Sequence, residues 1–440
     1  MKPAILTLLI FLGLFAVFAS ASDAIHTEIR KSDRTWTVTY RTPVPTQQLA
    51  FKRNPDRSRA DRWTSASAEY QIIHEHGTDL IRRVDGKSFS EVTFTLTSSY
   101  TALPKDYAPF SPFSDGGMLI HSGRFFACSG RCESGRNAWR ISLIAPEQDS
   151  IIVDGTVARG SVEWLDSDNG RKVYVGPQLP DRDERFISII DPELPEHFRG
   201  YLHRFLPLMM TEYAKFLNQP AGSPILFVSF DPAHQGSRGR QGGVLPNQIF
   251  MHWYGEDAGK GWDERSVLWF FAHELAHLFQ GTSGQIEERE HAWIHEGAAE
   301  YMAGLAMKSL MPETTAWVDA RFSGVEGPCL EGLKEHSLIE AAERNRHWLY
   351  YTCGLFIHDA IAREASQHGE AVSFFSIWSA FQKRVDSGEA ASFDVFILSL
   401  RPYVSEQFIR NLQQLIASSG TDLEPYLKTL TAKRQSRSKT

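Results

Sequence analysis

SVLWFFAHELAHLFQ (residues 266–280) is followed by WIHEGAAEY (293–301), and the way these two stretches fit together decides how the chain is read. Both have the apolar spacing of helices, and the first carries His273, Glu274 and His277. Side chains four apart share one helix face, so His273 and His277 can aim two imidazole nitrogens at one point, with Glu274 a step round the helix. Eighteen residues, 278 to 295, separate His277 from Glu296. A hydrolytic zinc ion typically takes three protein ligands and keeps a fourth position for water. His273, His277 and Glu296 form the natural ligand set, with one coordination position open. The surrounding stretch is so apolar that two His and a Glu would be costly there without a partner. Glu300, one turn past Glu296, is placed to accept a hydrogen bond from a ligand histidine and fix its tautomer.

Two imidazoles and a carboxylate suit zinc, and they also serve non-haem iron. Iron sites do not require the adjacent Glu274, whereas peptide hydrolysis does. Zinc brings the ionisation of its water close to neutrality, and Glu274 can take that proton and return it to the leaving amine. The oxyanion then needs one further donor. His291 and His295 are also four apart, but they lack a suitable third group and read as cleft-lining or structural.

Elsewhere the signals are broader. A length of 440 residues suggests two or three domains. A net charge of −7 argues against nucleic acid as a partner. The first residues carry one basic side chain, Lys2, then an apolar run and Ala19-Ser20-Ala21, which predicts a cleaved secretory signal over 1–21 and a secreted or periplasmic address. An uncleaved anchor is the alternative. In an oxidising setting the four cysteines allow three pairings. Proximity favours Cys128 with Cys132 and Cys329 with Cys353, and two pairs of free thiols remain the alternative.

Residues 22–190 contain short period-two runs at 68–76, 91–99, 138–146, 150–157, 161–166 and 171–176, predicting a β-rich N-terminal domain. Residues 191–430 read as mainly helical with a small sheet, so the fold class is α+β, and 431–440 form a basic tail. In this second part a helix begins near Pro192, and ILFVSF (225–230) is a strand. GSRGRQGG (236–243) reads as a loop bordering a cleft, and an edge strand runs through Ile249 and Met251. The loop's Arg238 and Arg240 raise a phosphate cradle, but the spacing fits neither glycine-rich phosphate motif. Three helices follow, near 263–280, 292–310 and 348–366, the first with Asp263 as N-cap and Gly281 as stop.

The two quoted stretches together resemble the gluzincin metallopeptidases, closest to the branch of the membrane alanyl aminopeptidases and leukotriene hydrolase, with the glycyl aminopeptidases a near relative. The resemblance covers about residues 194–365. It implies a thermolysin-like catalytic domain after the β-rich one, a single zinc ion on His273, His277 and Glu296, and Glu274 as general base. Tyr351-Thr352-Cys353-Gly354 matches the branch's Y-x-x-G pattern, which implies that the Tyr351 hydroxyl stabilises the oxyanion, with Tyr350 as the alternative. A Cys329–Cys353 disulfide would hold that helix end in place. Gly243-Val244-Leu245-Pro246-Asn247 corresponds to the branch's G-x-M-E-N strand, which implies that Gly243, Val244 and Asn247 bind substrate. Pro246 stands where the amine-gripping Glu belongs, removing a charge and a backbone donor, and so leaves amino- and endopeptidase action both open. The leading expectation is an exported zinc peptidase. Alternatives are a gluzincin-fold peptide-binding protein without useful turnover, and a zinc hydrolase of a non-peptide substrate such as an epoxide.

Overall fold

A computed structural model describes residues 25–430 apart from 104–105, 131, 133–137, 168, 221, 259–262, 282–285, 287, 369–371, 421–422, 424 and 427–429. The leader at 1–21 and the tail at 431–440 lie outside the described residues. The chain is α+β, sheet-rich in its first half and mainly helical afterwards. Its described residues divide into two compact units, one drawn from 1–97, 125–144 and 162–168, the other from 98–124, 145–161 and 169–440.

In the first unit, alternation turns one face of each strand inward. Trp36, Val38 and Tyr40 of Thr35–Thr46 are buried, as are Val92, Phe94 and Leu96 of Phe89–Leu96. These strands lie in a six-stranded sheet ordered 161–166, 139–144, 26–32, 35–46, 89–96, 63–65, beside a four-stranded sheet ordered 127–129, 48–51, 78–83, 70–75. Phe51 of the smaller sheet meets Trp63 of the larger edge-on, with ring centroids 5.3 Å apart, so the two share a core. Cys128 and Cys132 form a disulfide here.

The second unit contains two five-stranded sheets. One is ordered 156–158, 150–153, 172–176, 118–121, 110–112. The other runs 181–182, 187–190, 225–231, 248–254, 239–245. Gln248 joins them, its side-chain amide accepting from the Lys172 N–H at 2.7 Å and donating to the Lys172 carbonyl at 3.0 Å. In the second sheet 187–190, 225–231 and 248–254 are parallel, and Gly239–Leu245 pairs antiparallel at the edge. Two readings of the sequence change here. The glycine-rich stretch is the edge strand itself, and the strand through Ile249 and Met251 lies one place further in. Glycine disfavours strands in isolation, but a Cβ on Gly242 would stand 2.5 Å from the Phe270 ring, and one on Gly243 would stand 2.6 Å from the Tyr107 hydroxyl. Packing of rings against bare backbone outweighs propensity.

The helix Glu196–Ala214 links two of the parallel strands, and its Tyr213 hydroxyl donates to the Ala272 carbonyl at 2.9 Å, pinning it to the motif helix. That motif helix, Glu264–Gln280, starts at Asp263, whose side chain accepts from the Arg265 N–H, and ends at Gly281 with φ 63°. Two further helices, Trp293–Leu310 and Trp348–His368, complete the frame of the site. They approach each other at Gly297 and Gly354, where a Cβ on Gly297 would come within 2.3 Å of the Gly354 carbonyl carbon. Such proximity of two backbones requires glycine. One turn on, buried His358 donates to the Ile294 carbonyl at 2.8 Å, and burial pushes its imidazole down to about 3, so it stays neutral. Cys353, beside Gly354, is bonded to Cys329 in the helix Glu326–Leu333. Among the described residues no helix is long and apolar enough to cross a membrane.

Candidate metal and active site

His273 and His277, one turn apart on the motif helix, bring their Nε2 atoms to 3.0 Å from each other. Glu296, in the first turn of the next helix, places Oε2 at 3.3 Å from His273 Nε2 and 3.1 Å from His277 Nε2. Among the described residues this is the one group of three His, Cys, Asp or Glu side chains close enough to hold an ion. With eighteen residues between His277 and Glu296, the ligand atoms converge because the helix from Trp293 packs against the motif helix through a continuous apolar core that includes Leu275, Ala276, Ala298 and Ala299.

The outer nitrogens of both imidazoles are also engaged. His273 Nδ1 lies 3.2 Å from Glu300 Oε1, off the line of a well-formed hydrogen bond. The other Glu300 oxygen accepts from Trp269 Nε1 at 2.8 Å and from Arg321 at 3.2 Å. His277 Nδ1 is 2.7 Å from Gln280 Oε1. Two Nε2 atoms and a carboxylate oxygen thus face one another at 3.0 to 3.3 Å. The site calls for positive charge at that point. Burial works against charging His273, but Glu296 and Glu300 overcome it and push the imidazole up to about 10. Burial would also raise Glu296, yet His277 and His273 hold it well below the usual carboxylate range. Two imidazole nitrogens and a carboxylate oxygen are donors that fit a zinc ion.

Glu274 is buried beside the pair, burial raising its pKa, and makes no hydrogen bond or ion pair among the described residues. The ring of Tyr351 lies 5.6 Å from that of His273 and is 39% exposed. The Glu296 charge, with burial next, holds its phenol well above the ordinary range, so it remains an O–H donor. Tyr350 is turned into the core, where its hydroxyl accepts from the Ala342 N–H at 3.1 Å. Gly243 and Val244 lie on the edge strand. Asn247 does not, since it sits in the turn with φ 58° and its amide donates to the Ser223 carbonyl at 3.1 Å. Pro246 shares that turn.

His295 is drawn in more closely than its sequence position implies. Its Nδ1 accepts from the Ile286 N–H at 3.4 Å, its Nε2 is 3.7 Å from Glu296 Oε1, and burial pushes it down to about 4. Gln280, Trp269 and Arg321 are further contributors that the motif does not announce. Gln280 and Trp269 could be found by helical spacing, three after His277 and four before His273. Arg321 belongs to a separate helix, Thr315–Gly324, and carries no such signal.

No family model matches the chain. It is similar to Aminopeptidase M1 of Arabidopsis thaliana, 36% identical over 87 residues, which are 20% of this chain and 10% of that one. It is also similar to Aminopeptidase M1-D of rice, Oryza sativa subsp. japonica, 30% identical over 129 residues, or 29% and 15% of the two chains. The aligned parts are thus small fractions of those relatives. Among solved structures, an aminopeptidase N family protein of Idiomarina loihiensis superposes with TM-score 0.62 at 11% identity, over 92% of this chain and 78% of its own. An M1 zinc metallopeptidase of Deinococcus radiodurans, solved with a Tyr-Ser-Ala substrate, gives TM-score 0.53 at 14% identity over 90% and 94%. The fold is that of the M1 zinc metallopeptidases, and the sequence likeness is to aminopeptidases of the same kind.

Proposed function

We propose that the chain is a zinc-dependent peptidase in which His273, His277 and Glu296 hold one zinc ion. One observation carries the reading: two buried imidazole nitrogens and the half-buried Glu296 carboxylate oxygen, all atoms that ligate metals, meet within 3.3 Å. Zinc bound there would polarise a substrate carbonyl and make water acidic. Glu274 takes the proton of the attacking water as its oxygen bonds to the amide carbon, then passes it to the nitrogen as the C–N bond breaks. Tyr351 keeps its proton and donates to the oxyanion. The outer edge of Gly239–Leu245 receives the substrate as an added strand, with Gly243 and Val244 along it. Asn247 stays with the turn. The leader-like first 21 residues and the two disulfides support an exported address.

The amine-gripping carboxylate has no counterpart on the edge strand, whose polar side chains are Arg240 and Gln241. Free and N-acetylated peptides are therefore expected to be cleaved with rates within about tenfold, since no charge-assisted contact there selects the ammonium. Digestion of a peptide library by the purified protein, with zinc, with a chelator and with either N-terminus, tests this. Zinc-restored cleavage is expected; an inert zinc-loaded protein would favour the peptide-binding alternative. A strong demand for a free amine would place the recognition on another element. Tyr351→Phe is expected to lower kcat about a hundredfold with KM little changed, the cost of one oxyanion donor, and steady-state kinetics on a cleaved peptide decide it.

A further inference from the structure

We infer that Gln280 is a positioning residue for His277, an amide that locks the imidazole tautomer and thereby sets the affinity of the zinc site. The inference rests on the zinc reading above and concerns a residue outside the ligand motif. Gln280 is the last residue of the motif helix and is fully buried. A buried amide must satisfy a carbonyl oxygen and an NH2 group, and here each has one partner of one kind. Nε2 donates to the His295 carbonyl at 2.9 Å, and a carbonyl can only accept. That contact fixes which end of the amide is the oxygen. Oε1 then faces His277 Nδ1 at 2.7 Å and can only accept, so the ring carries its proton on Nδ1 and offers a bare Nε2 to the ion.

The same amide spans two helices. His295 immediately precedes Glu296, so the group that orients the second ligand is itself oriented by the backbone that carries the third. The helix end beneath Gln280 is held separately. Buried Gln382 donates to the Phe279 carbonyl and to the Gln280 carbonyl, both at 2.9 Å, and so ties the main chain without touching the imidazole. The two ligand histidines are thus served unequally. His273 has the Glu300 carboxylate beside it, whereas His277 has a neutral acceptor that adds no fourth negative charge to a site that already contains Glu274, Glu296 and Glu300.

Two substitutions separate positioning from packing. Gln280→Met fills nearly the same volume without an oxygen; Gln280→Glu keeps an oxygen for Nδ1. Zinc dissociation constants from competition with a chromophoric chelator, with unfolding midpoints of the metal-free proteins alongside, give the readout. Loss of a partner to a ligand histidine typically costs 10- to 100-fold in metal affinity, so Gln280→Met is expected to bind zinc about 10- to 100-fold more weakly than the parent chain, and Gln280→Glu, which keeps the acceptor for Nδ1 but gives up the donor to the His295 carbonyl, to bind more tightly than Gln280→Met by about threefold or more. Gln382→Leu is expected to lower the midpoint and leave the dissociation constant unchanged. Unweakened binding by Gln280→Met, equal weakening by Met and Glu, or weakening by Gln382→Leu to the same extent would overturn the assignment. If the parent chain itself bound no zinc, the metal reading would fail first, an outcome distinct from any of these.

Discussion

Glu274→Gln is expected to lose about a thousandfold or more in kcat, within the range attributed to a positioned general acid–base, while zinc content stays at one ion per chain. The substitution keeps the shape of the side chain and removes its ability to take a proton. None of the contacts that orient the ligands runs through Glu274: His273 is served by Glu300 and His277 by Gln280. Metal binding and turnover should therefore separate cleanly. Metal analysis of the purified variant, with single-turnover kinetics to isolate the chemical step, makes the measurement. Hydrolysis at near-parental rates would remove Glu274 from the mechanism and leave the zinc site standing.

Gly354→Val is expected to destabilise the second unit by about 3 kcal/mol or more, at or beyond the upper end of ordinary overpacking, and to abolish zinc binding in whatever folded protein remains. Even a Cβ at this position would lie 2.7 Å from both the Gly297 Cα and the Trp293 carbonyl oxygen. These are main-chain atoms inside a helix, so they cannot swing aside as a side-chain tip would. Relief requires the helices to part, and one of them carries Glu296 and the other Tyr351. Denaturant unfolding and zinc titration on the same preparation would show the two losses together. A variant of parental stability with intact zinc affinity would mean that the helices meet less closely than the crossing implies.

Much of the site is written locally. His273, Glu274 and His277 follow from i, i+4 spacing, and the caps at Asp263 and Gly281 follow from residue chemistry, so the motif helix could be drawn almost to the residue. The alternating runs that fall on Tyr70–Glu75, Phe89–Leu96 and Trp139–Ile144 are strands for the same reason. What escaped depends on partners distant in the chain. Gly239–Leu245 looks like a loop until Phe270 and Tyr107 are seen packed on its glycines. Asn247 matches a strand motif by spacing, but a two-residue turn claims it. Alternation at 150–157 and 171–176 announces strands without saying which sheet they join, because register is set by pairing and not by period, and the short strands Phe110–Pro112 and Met118–His121 carry no such signal. Gln280 carries a local clue in its spacing from His277, but its meaning depends on the His295 carbonyl across the helix interface.

The border strand Gly239–Leu245 has a consequence for substrate choice if it binds substrate as proposed. A seven-residue border that recruits its guest through main-chain hydrogen bonds would take only a chain already pulled straight. Compact proteins and stable helices would then be excluded by their shape, whatever their composition, until several residues unravelled. Selection would begin with conformation, and the expected substrates are slack chain: tails, linkers and short fragments.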